Sequence, residues 1–262
     1  MSVLDILSED ERLVVRTVRE FVDRDVKPVV QQLEHTDTCP EHLIERMKEL
    51  GIYGLAIPEE YGGTPVSTPC FVLVTEELAR GWMSLAGAMG GHTVVSRLLV
   101  LYGTQEQKQR YLPRLATGAV RATMALTEPG GGSDLQAMTT IARREGGEYV
   151  VNGAKTWITN SRRAGLIALL CKTDPAADPR RTGVWVLLAE HGPGLVVSRD
   201  LPKPGYKGVE SCALSFEDRR AAPGAPVSRS GVRTSRTGPA AATVPSRSTT
   251  RWSQRRAARS RS

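Results

Sequence analysis

Cysteine is scarce and scattered. Cys39, Cys70, Cys171 and Cys212 are the only four, they lie far apart, and no C-x-x-C occurs. This excludes a local redox or zinc motif, so the reading is reduced thiols in a cytoplasmic protein. Long apolar runs are also missing, and no stretch reads as the ~18–20 residues that a membrane helix needs. The N-terminal "MSVLDILSEDERL" is acidic and short of apolar length, so a secretory signal is not expected. Residues 221–262 lack Leu, Ile, Met, Phe, Lys, Asp and Glu altogether. Nine arginines lie there, and without them 26 basic residues stand against 28 acidic ones. The formal net charge of +7 therefore belongs to the tail, and a whole-chain argument for nucleic-acid binding fails. A segment of this composition cannot bury enough apolar surface to offset its ordering entropy, so 221–262 is expected to be disordered.

The order of elements comes next. Ser8 and Glu11 form a capping box, and Val14, Val18, Phe21, Val22 and Val26 recur at helical spacing. One helix is predicted over 9–33, kinked at Pro28. Pro40 opens a second helix with a Leu43, Ile44, Met47, Leu50 stripe, and Gly51 stops it. Further helical pattern covers 68–80 and 84–101. Thr104 and Gln107 cap another helix, which Pro113 is predicted to end or distort. Past Gly118 the character turns to strand. Asn152-Gly153 predicts a type I′ hairpin turn inside "EYVVNGAKTWITN", with more strands at 165–173, 183–190 and 209–218. Helices followed by strands predict an α+β fold: an all-α domain (1–118), a β-barrel-like or β-sandwich middle domain (119–220) and the tail (221–262).

Two segments carry candidate chemistry. "LTEPGGGSDLQ" (126–136) is a glycine loop whose amides and serine hydroxyl suit a phosphate, but alone it reads equally as a surface turn. "KTWITN" (155–160) places Trp157 and Thr159 on one strand face, an indole beside a hydroxyl. That pair suits a flat heteroaromatic ligand; the alternative is an indole that fills the β core. His92 and His191 have no partner motif and read as structural or solvent-facing, and no metal site is expected.

Taken together, "GLAIPEEYGG" (54–63), "LYGTQEQKQRYLPRLATG" (101–118), "ALTEPGGGSD" (125–134), "VVNGAKTWITN" (150–160) and "KPGYKGVESCALSFED" (203–218) resemble, in order and spacing, the signature segments of the acyl-CoA dehydrogenases. The resemblance covers about residues 5–220. It implies an N-terminal helical domain, a middle β domain and a C-terminal four-helix domain, with FAD between the last two and shared across a dimer interface. It implies α,β-dehydrogenation of an acyl-CoA thioester, with a glutamate taking the α proton, the flavin taking the β hydride, and an electron-transfer flavoprotein as acceptor. Met124, Leu126 and Thr127 would line the flavin, Gly132 and Ser133 would meet the FAD pyrophosphate, Ser133 would also touch the CoA, Trp157 would cover a flavin face and Thr159 would approach its N5. Glu128 is tempting as a base, but the resemblance makes it part of the structural turn.

The resemblance stops at "ALSFEDRR". The family's catalytic glutamate belongs to the C-terminal helical domain, and 221–262 contains no glutamate, so no catalytic residue is assigned. The Ala/Arg/Pro/Ser/Gly/Thr mixture is what a GC-rich coding sequence yields in a wrong frame. The expectation is a truncated dehydrogenase, and the alternative function is a non-catalytic remnant for which the family's homo-oligomer is doubtful. The other reading of the tail is an arginine-rich arm for nucleic acid or an anionic membrane.

Overall fold

The computed structural model describes residues 3–177 and 183–221. The expectations for the tail beyond Ala221 fall outside these residues. The first half is helical. α1 (Glu9–Phe21) begins at the capping box: the Ser8 hydroxyl accepts from the Glu11 amide, and the Glu11 carboxylate accepts from the Ser8 amide, both at 3.2 Å. The single helix predicted over 9–33 is broken. A π-helical turn (Val22–Val26) follows α1, and α2 (Val30–His35) restarts beyond Pro28, whose ring cannot continue the ladder. α3 (Glu41–Glu49) ends at Gly51, left-handed at φ 75°. α4 (Thr68–Gly81), α5 (Met83–Tyr102) and α6 (Gln105–Ala116) complete the block. The valine stripe of α1 packs with Ile44, Met47, Val74, Leu78 and Leu85 into one buried cluster.

Pro113 neither ends nor stops α6, which runs on to Ala116. Pro113 is on the exposed side of the helix, as is Gln109, so water can satisfy the Gln109 carbonyl that loses its donor. α5 also corrects an expectation. Its 20 residues are long and apolar enough, by length and composition, to cross a membrane. Leu85, Ala88, Met89, Val95 and Leu99 bury one side of it within the protein.

The second half is a curled, mostly antiparallel sheet of seven strands. They are β1 (Ala122–Ala125), β2 (Ile141–Glu145), β3 (Glu148–Thr159), β4 (Leu166–Lys172), β5 (Val184–Ala189), β6 (Leu195–Asp200) and β7 (Ser211–Ala221). The spatial order is β1-β4-β2-β3-β7-β6, with β5 also on β4. β1, β2 and β6 had no counterpart in the predicted strands. The hairpin predicted at Asn152-Gly153 does not form. β3 runs straight through that dipeptide, and the hairpin turn is Gly146-Gly147, at φ 58° and 94°, between the paired Glu145 and Glu148. Those two glycines supply the positive φ that a type I′ turn requires. Asn152 instead serves a bulge. Two steps on β3, from Val151 to Gly153, oppose three on β7, and the Asn152 side chain bonds both the amide and the carboxylate of Asp218.

The two halves interlock. α5 and α6 pack on β1 and β4 through Val95, Leu99, Leu112, Ala122 and Leu166. The β6–β7 connection reaches back into the helical core, where Val209 is fully buried. Glu34 on α2 fastens that connection, accepting from the Trp82 indole at 2.8 Å and from the Lys207 amide at 3.0 Å.

Candidate functional site

The glycine loop leaves β1 and turns at once. The Glu128 amide donates to the Gly131 carbonyl at 3.0 Å and the Gly131 amide returns to the Glu128 carbonyl at 3.1 Å, closing a tight turn. A side chain added at Gly130 or Gly131 would meet nothing within 4 Å. Gly132 is exposed, but a Cβ on it would lie 3.2 Å from the Thr127 methyl, so these two stand together. Ser133 follows, also exposed.

Beneath the turn is a buried ion pair. The Glu128 carboxylate accepts from the Lys155 ammonium at 2.9 Å, the Thr139 amide at 2.6 Å, the Thr139 hydroxyl at 2.8 Å and the Thr140 amide at 3.0 Å. Burial alone would raise its pKa; the hydrogen bonds from Thr140, Lys155 and Thr139 overcome that and hold it at about 2. Lys155 also donates to the Leu126 carbonyl at 3.0 Å. Burial pulls the lysine's pKa down, and Glu128 works against that pull. A carboxylate committed to four donors is an anchor for the turn and has no lone pair directed at a substrate proton.

The loop and β3 lie side by side. The Thr156 amide donates to the Thr127 carbonyl at 2.8 Å, so Trp157 follows directly on a residue bonded to the loop. Plain alternation does not govern Trp157. Three steps on β3, from Lys155 to Ile158, oppose two on β7, and Trp157 sits in this bulge with φ 58°. A non-glycine residue with such a φ is uncommon and marks a constrained position. The bulge separates a fully buried Lys155 from an indole that is 54% exposed. Trp157 is therefore not a filler of the β core. Thr159 is half-buried, its carbonyl held by the Thr123 hydroxyl at 2.6 Å.

The predicted site residues thus fall on two adjacent backbone segments. Met124, Leu126, Thr127, Gly132 and Ser133 occupy β1 and its loop, and Trp157 and Thr159 end β3. Met124 is half-buried against the junction cluster, and Leu126 contributes its carbonyl to Lys155. Lys155 escaped the sequence reading; a lysine two residues before Trp157 on an apolar strand was the available signal. His92 is buried, with its ring edge-on to Tyr53 at 4.8 Å and its Nδ1 accepting from the Ala122 amide at 3.3 Å. His191 bonds the Ser161 carbonyl at 3.1 Å. Among the described residues no cluster of His, Cys, Asp and Glu could hold a metal ion.

The family description "Acyl-CoA dehydrogenase, N-terminal domain" matches residues 8–119, and "Acyl-CoA dehydrogenase, middle domain" matches residues 123–219. The chain belongs to the acyl-CoA dehydrogenase family. It is 35% identical over 217 residues to the mitochondrial isovaleryl-CoA dehydrogenase of Pongo abelii, covering 81% of this chain and 51% of that protein. The structure of an acyl-CoA dehydrogenase from Geobacillus kaustophilus matches with a TM-score of 0.79 and 34% identity, covering 84% of this chain and 58% of that one. A glutaryl-CoA dehydrogenase from Mycobacterium smegmatis in complex with FADH2 matches with a TM-score of 0.78 and 29% identity, covering 85% of this chain and 56% of that one. The chain spans about half the length of the relatives it matches.

Proposed function

We propose that the chain holds FAD against β1, its loop and the end of β3, and serves α,β-dehydrogenation of an acyl-CoA thioester. In this reading Thr127, with the backbone of Met124 and Leu126, lines the flavin, and Gly132 and Ser133 take the pyrophosphate, with Ser133 also facing the CoA. Trp157 covers one face of the ring and Thr159 offers its hydroxyl to the ring edge. The residues present fit such a group. Exposed amides in a glycine turn suit phosphate oxygens, and an outward indole suits a flat heteroaromatic. The single observation that carries the reading is Trp157, turned out of the sheet at φ 58° beside a loop that β3 holds by a hydrogen bond. When bound, FAD supplies the hydride acceptor; the chain's own residues bind and orient it and shape its surroundings. An electron-transfer flavoprotein is the proposed acceptor.

A second reading is a chain that holds flavin without dehydrogenating. The commitment of Glu128 to four hydrogen bonds favours it, because that carboxylate cannot take the α proton. One experiment separates the readings. Purified chain reconstituted with FAD is mixed with short and branched acyl-CoA thioesters under anaerobic conditions. Bleaching of the flavin band supports dehydrogenation. A bound flavin that no thioester bleaches supports the second reading, and a chain that takes up no FAD refutes both.

A further inference from the structure

The two peptide planes on either side of Thr127 are both gripped from β3. The Lys155 ammonium donates to the Leu126 carbonyl at 3.0 Å, and the next residue on the strand, Thr156, donates its amide to the Thr127 carbonyl at 2.8 Å. The second plane is held at its other end as well, where the Glu128 amide donates to the Gly131 carbonyl at 3.0 Å. Peptide planes are rigid, so fixing one on each side of a residue sets both of its torsions. The backbone of Thr127 is thus set from outside.

Three of the four polar groups on these planes are taken within the chain. The fourth is the Thr127 amide, which has no partner among the described residues. In a trans peptide the N–H points opposite to the C=O. The Leu126 carbonyl faces Lys155, which is fully buried, so the Thr127 N–H faces away from the buried pair. The side chain is placed along with the backbone. A β-branched residue has few rotamers, and the Thr127 methyl stands against Gly132, where a Cβ would lie 3.2 Å away. The lysine has a further effect. A carbonyl that accepts from a cation is polarised, and the N–H of the same amide becomes a stronger donor. Thr139 and Thr140 already give Glu128 three donors, and Lys155 is the one partner of Glu128 that also reaches the loop backbone.

We propose that Lys155 is a positioning residue: through the Leu126 carbonyl it turns the Thr127 amide and hydroxyl towards acceptor atoms on the edge of the bound flavin ring, and it strengthens that amide as a donor. The inference rests on the flavin reading above. It gives Lys155 a role towards the ligand besides its pairing with Glu128.

Lys155→Met alone leaves Glu128 as a lone buried carboxylate, so the lysine is replaced in a Glu128→Gln background. The parent, Glu128→Gln, Glu128→Gln/Lys155→Met and Thr127→Val are compared as full chains reconstituted with FAD. Affinity is read by quenching of flavin fluorescence, the surroundings of the ring by the visible band, and the midpoint potential by equilibration with a reference dye. Glu128→Gln keeps the bond from Lys155 to Leu126. It should melt lower and hold the parental band and potential. Adding Lys155→Met should weaken FAD about 3- to 10-fold, the range for loss of one hydrogen bond. It should also move the band and lower the potential, because a weaker donor stabilises the electron-rich ring less. A lysine that merely supports the turn changes melting and leaves the band and potential in place; that result overturns the proposal. So does a Glu128→Gln variant that shifts both as far as the double variant. Thr127→Val keeps the volume and the amide, and should itself weaken FAD about 3- to 10-fold. Parental affinity in Thr127→Val overturns the proposal even where the double variant does not fold. In each of those cases the flavin reading stands, whereas a parent chain that takes up no FAD removes both.

Discussion

The Lys155 ammonium and the Glu128 carboxylate meet 2.9 Å apart with almost no exposure to water, directly under the glycine turn. Breaking such a pair leaves one uncompensated buried charge, at about 3–5 kcal/mol. Glu128→Gln and Lys155→Met should each lower stability by roughly 3 kcal/mol in urea unfolding, and the double variant by less than their sum. Two strictly additive losses would show that the charges do not act as a pair. The pH dependence has a definite sign. The folded carboxyl titrates at about 2 against an ordinary 4.5, so its contribution is complete above 4.5 and disappears as pH falls towards 2. Glu128→Gln should flatten the unfolding profile within that window.

Trp157 makes the opposite prediction. An exposed indole in a bulge contributes little packing, and its left-handed backbone carries strain. Trp157→Gly should therefore unfold within about 0.5 kcal/mol of the parent, or above it. FAD binding should weaken by roughly 3- to 10-fold, the span of an aromatic stacking contact. A large loss of stability with unchanged flavin affinity would make the indole a structural residue.

The helical half was legible because its signals are local. Both capping boxes, the Val14–Val26 stripe and the Gly51 stop each need only a few neighbouring residues, and all appear in the structure. The sheet was less legible because pairing is not local. β1 is four residues long, β2 carries two arginines, and each is defined by the strand it lies against. Asn152-Gly153 misled because the same residues that suit a turn also suit a bulge, and only contact with Asp218 and Thr140 decides between them. At the site, Trp157 and the glycine loop were readable from residue type and spacing. Lys155 was not, since its role comes from a partner 27 residues away.

Gly153 tests that explanation of the bulge. It has φ 145°, and a Cβ would come within 2.6 Å of the Thr140 hydroxyl and 2.7 Å of its Cα. Gly153→Ala should cost about 1–3 kcal/mol from backbone strain and overpacking. Asn152→Ala, which removes the bonds to Asp218, should cost about 1 kcal/mol. The measurement is equilibrium unfolding of each variant, and an alanine tolerated at 153 without loss would contradict the close approach of β3 to Thr140.

His92 predicts a second acid sensitivity, separate from that of Glu128. Burial, opposed by nearby backbone carbonyls of Tyr53 and Leu115, pushes its pKa down to about 4 from 6.5. The imidazole is sealed between Tyr53 and the start of β1, where a second proton has no solvent to face. The folded state therefore resists protonation that the unfolded chain accepts. Stability is complete above 6.5 and falls as pH drops from 6.5 towards 4, by up to about 1.4 kcal/mol for each pH unit. His92→Gln keeps an acceptor for the Ala122 amide without titrating. It should be less stable than the parent at pH 7.5 through lost packing against Tyr53, yet lack the slope that the histidine gives the parent between 6.5 and 4.5. Melting temperatures across that range decide the matter, and a variant that loses stability with the same slope as the parent would place the titrating group elsewhere.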